Sequence, residues 1–250
     1  LEIAGDLEEA LPDILSSLWE AVTKGLAGQA DALCGSGAPL TIIAQDLFDV
    51  LPLHMATRKL DGGIRYAIED RTIRFAPGFS ALQLMRRRSL LQRSGVLAGF
   101  FAPQSQARAK SDRPDLRHAL LNECGEIGEA IGPEKIMAWV GPAATRERFL
   151  SLMRSDAWRA GEHHGLHLAM HSDFDLSQPD QSGLRFVDET GSAVLVTVRD
   201  LLGLNAIESL GPVCLASCKS GRSDAFNLQG EAIGLVSAFI QLGASSVLST

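Results

Sequence analysis

The sequence predicts an α/β fold in which helices flank a largely parallel sheet. Short apolar runs, such as those at residues 96–101 and 165–170, alternate with longer stretches whose apolar residues recur at helical spacing. Runs of about four to eight apolar residues bounded by Gly or Pro are typical of buried strands. Because consecutive parallel strands are joined through helices, the repeated alternation of the two patterns favours a parallel sheet.

Residues 1–35 precede this alternation and are predicted to form an N-terminal helical segment. Their apolar residues, among them Leu11, Leu15 and Leu18, recur at helical spacing between acidic residues, which is typical of one or two amphipathic helices. The segment either packs on the following domain or is the end of an upstream module. Residues 36–250 are expected to form one α/β domain that is truncated at its C-terminus, because the sequence stops inside an apparent strand.

The elements of that domain follow in chain order. A strand is expected at Thr41–Ala44 and, after the turn signal at Asp61-Gly62-Gly63, a hairpin or crossing strand at Tyr66–Phe75. The next predicted elements are a helix at 80–93, a strand at 96–101, a helix at 116–131, a strand at 135–140, a helix at 144–153 and a strand before His171. Two apolar runs around Glu189-Thr190-Gly191 predict a β-hairpin. Thr197 is the expected N-cap of a helix that leads to the last buried strand before Cys218.

The composition indicates a soluble globular protein. Of the 250 residues, 46% are apolar and 21% are charged, which is ordinary for a folded domain. No apolar run approaches the length of about 18 residues that indicates a membrane helix, and the first residues lack the pattern of a secretory signal. A net charge of −7 argues against nucleic-acid affinity. We therefore expect a cytoplasmic protein with no membrane or direct nucleic-acid partner.

The cysteines do not indicate a disulfide framework, and no cofactor motif is present. Cys214 and Cys218 lie four residues apart, which on a strand is about 13 Å, whereas a disulfide needs Cα atoms within about 7 Å of each other. The sequence contains neither a Gly-rich phosphate-binding loop nor a dinucleotide-binding fingerprint. We expect no disulfide and no cofactor.

Three histidines raise the question of a metal site. His163, His167 and His171 recur every four residues, which on a helix would stack three imidazoles on one face. The apolar run around them favours a strand, however, where consecutive members stand about 13 Å apart and cannot share an ion. We expect no metal, with His163 and His164 exposed and His167 a core histidine that has a hydrogen-bond partner.

Two predicted strands end at residues that can form a nucleophilic pair. One apolar run ends at His171 and another at Cys218. Catalytic groups of open α/β sheets lie just past the carboxyl ends of the strands. A Cys with a His beside it in space is the arrangement of an activated thiolate. A free Cys is also often a small buried hydrophobe, so the Cys218 segment alone leaves both interpretations open.

The two segments together resemble the CHAT domain, a caspase-like bacterial cysteine peptidase family related to separases. The family pattern is a strand ending in Ala-Thr-His-Gly, then a strand ending in Ser-Ala-Cys-Glu-Thr-Gly, and later a strand that reads Ala-Gly-Ala-x-x-Val. This chain reads Ala169-Met170-His171-Ser172, then Ala216-Ser217-Cys218-Lys219-Ser220-Gly221, and later Leu242-Gly243-Ala244-Ser245-Ser246-Val247. The resemblance covers residues 41–250.

The resemblance implies a caspase-like three-layer sandwich with a mostly parallel central sheet, helices on both faces and an inserted β-hairpin. It also implies a cysteine endopeptidase in which Cys218 is the nucleophile and His171 handles the protons, without a cofactor. The backbone N–H groups of Ser172 and Cys218 would bind the oxyanion. The implied partners are protein or peptide substrates, together with regulatory domains or proteins. Asp173 and Asp175 would bias the imidazole, or line the substrate pocket and select Arg or Lys before the cut, or be solvated loop residues.

Ser172 departs from the family pattern, in which Gly is usual at this position. If the position needs a positive φ, a Ser there would be strained. This departure supports an alternative function, a CHAT-like scaffold that binds partners without catalysis, and a cysteine-based acyl transferase would share the same nucleophile. The presence of both His171 and Cys218 favours the peptidase. Lys219, which replaces the usual Glu, would favour the thiolate.

Overall fold

The computed structural model describes residues 2–43, 51–90, 95–102, 115–175, 177–208, 210–217 and 234–249. The side chains of residues 2–9 and 115–117 lie outside that description. The chain divides into two compact units, Leu1–Phe79 and Ser80–Thr250.

The first unit is built on the N-terminal helices that the sequence predicts. α1 (Glu2–Leu18) and α2 (Lys24–Cys34) are joined by a π-helical turn at Trp19–Thr23. The later elements of the unit are β1 (Leu40–Ile42), β2 (Thr57–Leu60), β3 (Gly63–Tyr66), α3 (Ala67–Asp70) and β4 (Ile73–Phe75). The core of the unit consists of Leu15, Leu18, Trp19, Ile42, Leu53, Ala56 and Ala67. α1 therefore shares this core with residues beyond the predicted division between residues 35 and 36.

The turn signal at Asp61-Gly62 is confirmed, but the strands around it differ from the prediction. β2 and β3 pair antiparallel across this turn, whereas Tyr66–Phe75 contains only the end of β3, then α3 and β4. The sequence hides β2 because Arg58 interrupts any apolar run there. Arg58 lies opposite Arg65 in the hairpin, and both side chains bind Asp70, at 2.8 and 2.9 Å. A shared counter-ion thus compensates two like charges that would otherwise repel each other across the strands.

The second unit contains a five-stranded sheet in which every pair of neighbours is parallel. Its strands are β5 (Val96–Ala102), β6 (Ile136–Val140), β7 (His163–Met170), β11 (Gly211–Ala216) and β12 (Ala244–Ser249). Their order in space is β12-β11-β7-β5-β6. The parallel sheet that the alternating pattern predicts is therefore confirmed, with β7 as its central strand.

Helices cover both faces of this sheet. The helices in this part of the chain are α4 (Phe79–Ser89), α5 (Asp115–Ile131), α6 (Arg146–Arg154), α7 (Ala157–Ala160), α8 (Val198–Leu202) and α9 (Leu235–Leu242). Phe100 of β5 packs in the larger cluster, with Phe149 of α6 and Phe239 of α9. The next residue, Phe101, packs in a separate cluster with Leu120 of α5. Because successive side chains of a strand point to opposite faces, the two clusters lie on opposite sides of the sheet.

A small antiparallel sheet follows β7 along the chain. It consists of β8 (Ser172–Asp173), β9 (Gly183–Val187) and β10 (Ala193–Thr197), in the order β10-β9-β8. β9 and β10 form the β-hairpin that the sequence predicts. The predicted cap is also confirmed, because the Thr197 hydroxyl accepts the Asp200 N–H at 3.1 Å and the Asp200 carboxylate accepts the Thr197 N–H at 3.0 Å.

The mixed α/β class predicted from the sequence is confirmed by these two sheets and their helices. Across the part of the chain that the structure describes, we find no helix with both the length and the apolar character needed to cross a bilayer.

Removal of the Phe100 ring should destabilise the protein strongly. Phe100 is fully buried, and its ring stacks on Trp139 with centroids 4.5 Å apart and meets Phe149 and Phe186 edge-on. We expect Phe100→Ala to lower the free energy of unfolding by about 3–5 kcal/mol, as aromatic truncations in cores do. Urea denaturation measures this loss. Met137→Ala, in the neighbouring strand at a side chain that is 44% exposed, is the control and should change stability by at most about 0.5 kcal/mol. Equal losses in the two variants would contradict the assigned core.

Candidate active site

His171 lies at the point where the chain leaves one sheet and enters another. It follows the last residue of β7, and the next residue, Ser172, is the first of β8. β8 pairs antiparallel with β9, with Ser172 opposite Leu184 and Asp173 opposite Gly183. The His171 carbonyl oxygen accepts a hydrogen bond from the Arg185 N–H at 2.8 Å. Backbone pairing on both sides therefore fixes the position of this residue at the carboxyl edge of the parallel sheet.

The strand that leads to Cys218 is the immediate neighbour of β7. β11 pairs parallel with β7, and the last pair in the register is Ala216 with Ala169. Ala216 comes two residues before Cys218, and Ala169 comes two residues before His171. Cys218 itself lies outside the described residues, so its predicted role as nucleophile and its predicted oxyanion N–H stay predictions.

The imidazole of His171 is half-buried and has an unused nitrogen. Its Nε2 atom is shielded from solvent, and no residue in the described part of the chain hydrogen-bonds to it. Burial lowers the pKa of His171, the positive charge of Arg185 lowers this pKa further, and the negative charge of Asp173 opposes both effects. The neutral imidazole, which can accept a proton, is therefore the favoured form.

Both carboxylates predicted for the substrate pocket have partners within the protein. Asp173 accepts two hydrogen bonds from the guanidinium of Arg185, at 2.7 Å from Nε and 2.6 Å from Nη2. The Asp175 Oδ1 atom accepts the N–H groups of Ser177 and Gln178 and the Ser177 hydroxyl, at 2.7–3.0 Å, and these bonds lower the pKa of the fully exposed Asp175. The contacts give both carboxylates a structural role, and their role in substrate selection stays a prediction.

Ser172 lies in an extended strand rather than in a left-handed turn. It belongs to β8 and pairs with Leu184 of β9. A β-strand needs a negative φ, which any residue adopts. The backbone at this position therefore makes no demand that only Gly could meet.

A comparison with family profiles identifies the chain. The profile of the CHAT domain matches residues 12–250. The chain belongs to the CHAT domain family. CHAT domains are in general caspase-like cysteine peptidases. A search of curated proteins found no match to this chain.

A His–Cys pair lies within the neighbouring strands β7 and β11 of this CHAT domain. Cys214 of β11 is in register with His167 of β7. The Nε2 atom of His167 lies 2.8 Å from the Glu123 Oε1 atom on α5, and the ring is stacked on Phe101. Burial, and secondly the charge of Glu123, raise the pKa of the Cys214 thiol. The predicted core role of His167 is confirmed. The raised pKa of the Cys214 thiol makes this cysteine unreactive, because the thiolate is the nucleophilic form.

The prediction that His163 is exposed is wrong. His163 is only 5% exposed, and its ring lies against Trp158 with centroids 5.1 Å apart. It is the first residue of β7, and the short helix α7 that carries Trp158 covers it, which the polar Glu162-His163-His164 sequence does not reveal. His164 is partly exposed. The described residues contain no cluster of three or more side chains able to hold a metal ion.

Arg185 is the residue near His171 that the sequence did not suggest as part of the site. It lies between Leu184 and Phe186, which are both buried in the core. The sequence therefore indicates only a solvent-facing residue of a hairpin strand at this position. Its approach to His171 depends on the pairing of β8 with β9. Only the alternation of side chains along β9 hints that Arg185 points away from the core.

The buried His163 should make the protein less stable in acid. Burial lowers the pKa of His163, while Glu162 and a hydrogen bond with the backbone of Val96 oppose that effect. The unfolded chain therefore binds this proton more readily, so that its contribution is present above about pH 6.5 and is lost as the pH falls. We expect the free energy of unfolding to fall between pH 7.5 and pH 5, by at most about 1.4 kcal/mol per pH unit from this group.

Urea denaturation at several pH values tests this expectation. The fall should be smaller in His163→Gln, whereas the same substitution at the exposed His118 is the control and should retain the fall of the wild-type protein. An identical slope in His163→Gln and in the wild type would show that the buried His163 does not contribute.

Proposed function

We propose that the protein is a caspase-like cysteine endopeptidase that hydrolyses protein or peptide substrates through a His171–Cys218 dyad and is controlled by other domains or partner proteins. The observation that carries the proposal is the register of β7 and β11, in which His167 pairs with Cys214. His171 follows His167 by four residues, and Cys218 follows Cys214 by four residues. Continuation of the same register would bring the nucleophile next to its base. Membership of the CHAT domain family and the helix-covered parallel sheet support the caspase-like assignment.

The proposed reaction begins with proton transfer from the Cys218 thiol to the Nε2 atom of His171. The thiolate attacks the carbonyl carbon of the scissile bond and forms a tetrahedral intermediate. The imidazolium then protonates the departing amine, which leaves a thioester on Cys218. Water, deprotonated by the imidazole, attacks the thioester carbonyl carbon, the C–S bond breaks and the acid product is released, and the imidazolium returns its proton to the Cys218 thiolate. The buried Nε2 atom without a described partner is suited to the first of these steps.

The oxyanion of the tetrahedral intermediate would be bound by the N–H groups of Ser172 and Cys218. Ser172 is the first residue after His171, and its strand is held in place by β9. Rigid backbone donors need no reorganisation during the reaction, and the loss of one such donor typically costs about 100- to 1000-fold in rate. The extended backbone of Ser172 is compatible with this role.

A non-catalytic scaffold is the competing function. Its support in the sequence is the Ser172 position, where the family usually has Gly. Because Ser172 lies in β8 and not in a turn that needs a positive φ, that support is weakened. The acyl transferase shares the nucleophile, and we find no feature of the described residues that favours it. We therefore favour the peptidase.

Alkylation should distinguish Cys218 from the other cysteines. Burial raises the pKa of the Cys124 and Cys214 thiols, with Glu123 adding to the effect in both, whereas Cys34 is exposed. We expect iodoacetamide to label Cys218 first, then Cys34, and the two partly buried thiols most slowly, because thiolate character and access control the rate. Mass spectrometry of the labelled peptides measures the four rates. Labelling of Cys218 no faster than that of Cys34, with no response to His171→Ala, would favour the scaffold.

Peptide cleavage tests the activity itself. Incubation with a peptide library should yield products whose rate of formation falls about 100-fold or more in Cys218→Ala and in His171→Ala, since each variant removes a group that the chemistry requires. Cys34→Ala is the matched control and should cleave at the wild-type rate, because Cys34 is an exposed thiol in the other unit. Cleavage that persists in Cys218→Ala would rule out the proposed nucleophile.

A further inference from the structure

We propose that the Asp173–Arg185 ion pair is a positioning device for His171, which holds the segment that carries the imidazole and balances the charge beside it. Its meaning for catalysis rests on the proposed dyad. The positioning itself is a property of the described residues and can be tested without any peptidase activity.

The geometry places three side-chain positions together on one side of the small sheet. Asp173 lies opposite Gly183, so that Arg185, two residues further along β9, is its diagonal neighbour on the same face. The hydrogen bond from the Arg185 N–H to the His171 carbonyl oxygen extends the same ladder by one pair. His171, Asp173 and Arg185 therefore occupy adjacent positions, with Leu184 and Phe186 on the opposite, buried face.

The bond between Arg185 and Asp173 has the geometry of a strong ion pair. Two roughly parallel N–H···O contacts of 2.7 and 2.6 Å join the guanidinium and the carboxylate, and this bidentate form fixes orientation as well as distance. Asp173 also raises the pKa of Arg185. The side chains are 39% and 42% exposed, so the pair adds little to global stability. Its effect is local, because both of its ends lie on the two strands that hold His171.

The pair also sets the charge that His171 experiences. Among the described residues, the charged groups that shift the pKa of His171 are Arg185, which lowers it, and Asp173, which raises it. Asp173 is not the third member of a triad that accepts a hydrogen bond from the imidazole, because its carboxylate is taken up by the guanidinium. In the intact pair, the charge of Asp173 opposes the larger effect of Arg185 on the ring. The pair therefore leaves the imidazole able both to accept the proton of the thiol and to carry it to the leaving amine.

Variants of the two charges should move the pKa of His171 in opposite directions. Arg185→Gln leaves the Asp173 carboxylate alone beside the ring and should raise the pKa of His171. Asp173→Asn leaves the guanidinium alone and should lower it. The double variant removes both charges and should return the value close to that of the wild type, an outcome that loss of structure cannot imitate. Arg185→Lys, which keeps the charge, should stay close to the wild type.

The measurement is an NMR titration of the imidazole resonances in the full chain, carried out in a Cys218→Ala background. The His171 signal is assigned by comparison with His171→Gln. Asp180→Asn and Arg199→Gln are the matched controls, because Arg199 and Asp180 also form an ion pair in this unit, with Nε 2.8 Å from Oδ2. These controls should leave the His171 titration unchanged. Shifts in the same direction for Arg185→Gln and Asp173→Asn, or no shift in either, would overturn the proposal.

Rates of Cys218 alkylation in the same variants separate this proposal from the proposed function. If the dyad exists, Arg185→Gln should speed labelling at a fixed pH and Asp173→Asn should slow it, since a more basic imidazole favours the thiolate. Opposite shifts in the titration together with unchanged alkylation rates would uphold the positioning role and refute the dyad. An unmoved titration would refute the positioning role, whatever Cys218 does.

Discussion

The pairing of β7 with β11 is the constraint on which the rest of the second unit depends. β7 is the central strand of the sheet, with β5 on one side and β11 on the other, and it is buried on both faces. A strand in that position cannot slip by one residue without moving Leu166 and Leu168 out of the larger cluster and reversing every other side chain. The register of β7 and β11 is therefore fixed by the core up to its last pair, Ala169 with Ala216.

Alternation along β9 connects this core to the candidate site. Leu184 and Phe186 are buried, and Arg185 between them projects to the side of Asp173. The packing of the hairpin thus decides where the guanidinium lies, and the guanidinium in turn holds the strand that begins directly after His171. Core packing and the position of Arg185 are therefore consequences of one pairing pattern.

The sequence predicts those features that depend on local patterns. The buried strands, the β9–β10 hairpin and the Thr197 cap each have a signature within a few neighbouring residues, and all three are confirmed. Features that depend on tertiary contacts are missed or misjudged. The prediction that His163 is exposed is wrong because Trp158 covers its ring. The sequence does not suggest Arg185 because the strand pairing that brings it to His171 has no local signal. β2 is missed because Arg58 interrupts the apolar pattern. The residue that compensates its charge, Asp70, lies twelve residues later in the sequence.

The His167–Cys214 pair of β7 and β11 shows why residue identity alone does not define a nucleophile. His167 and Cys214 lie in register, yet the imidazole is bound to Glu123 and the pKa of the thiol is raised by burial. Four residues further along, β7 has ended, and His171 retains a nitrogen that no described residue occupies. The difference between the two histidines lies in depth, because His167 is buried and His171 is only half-buried. Inside the sheet Glu123 of α5 supplies a carboxylate to His167, whereas at the carboxyl edge the opposed charges of Arg185 and Asp173 act on His171.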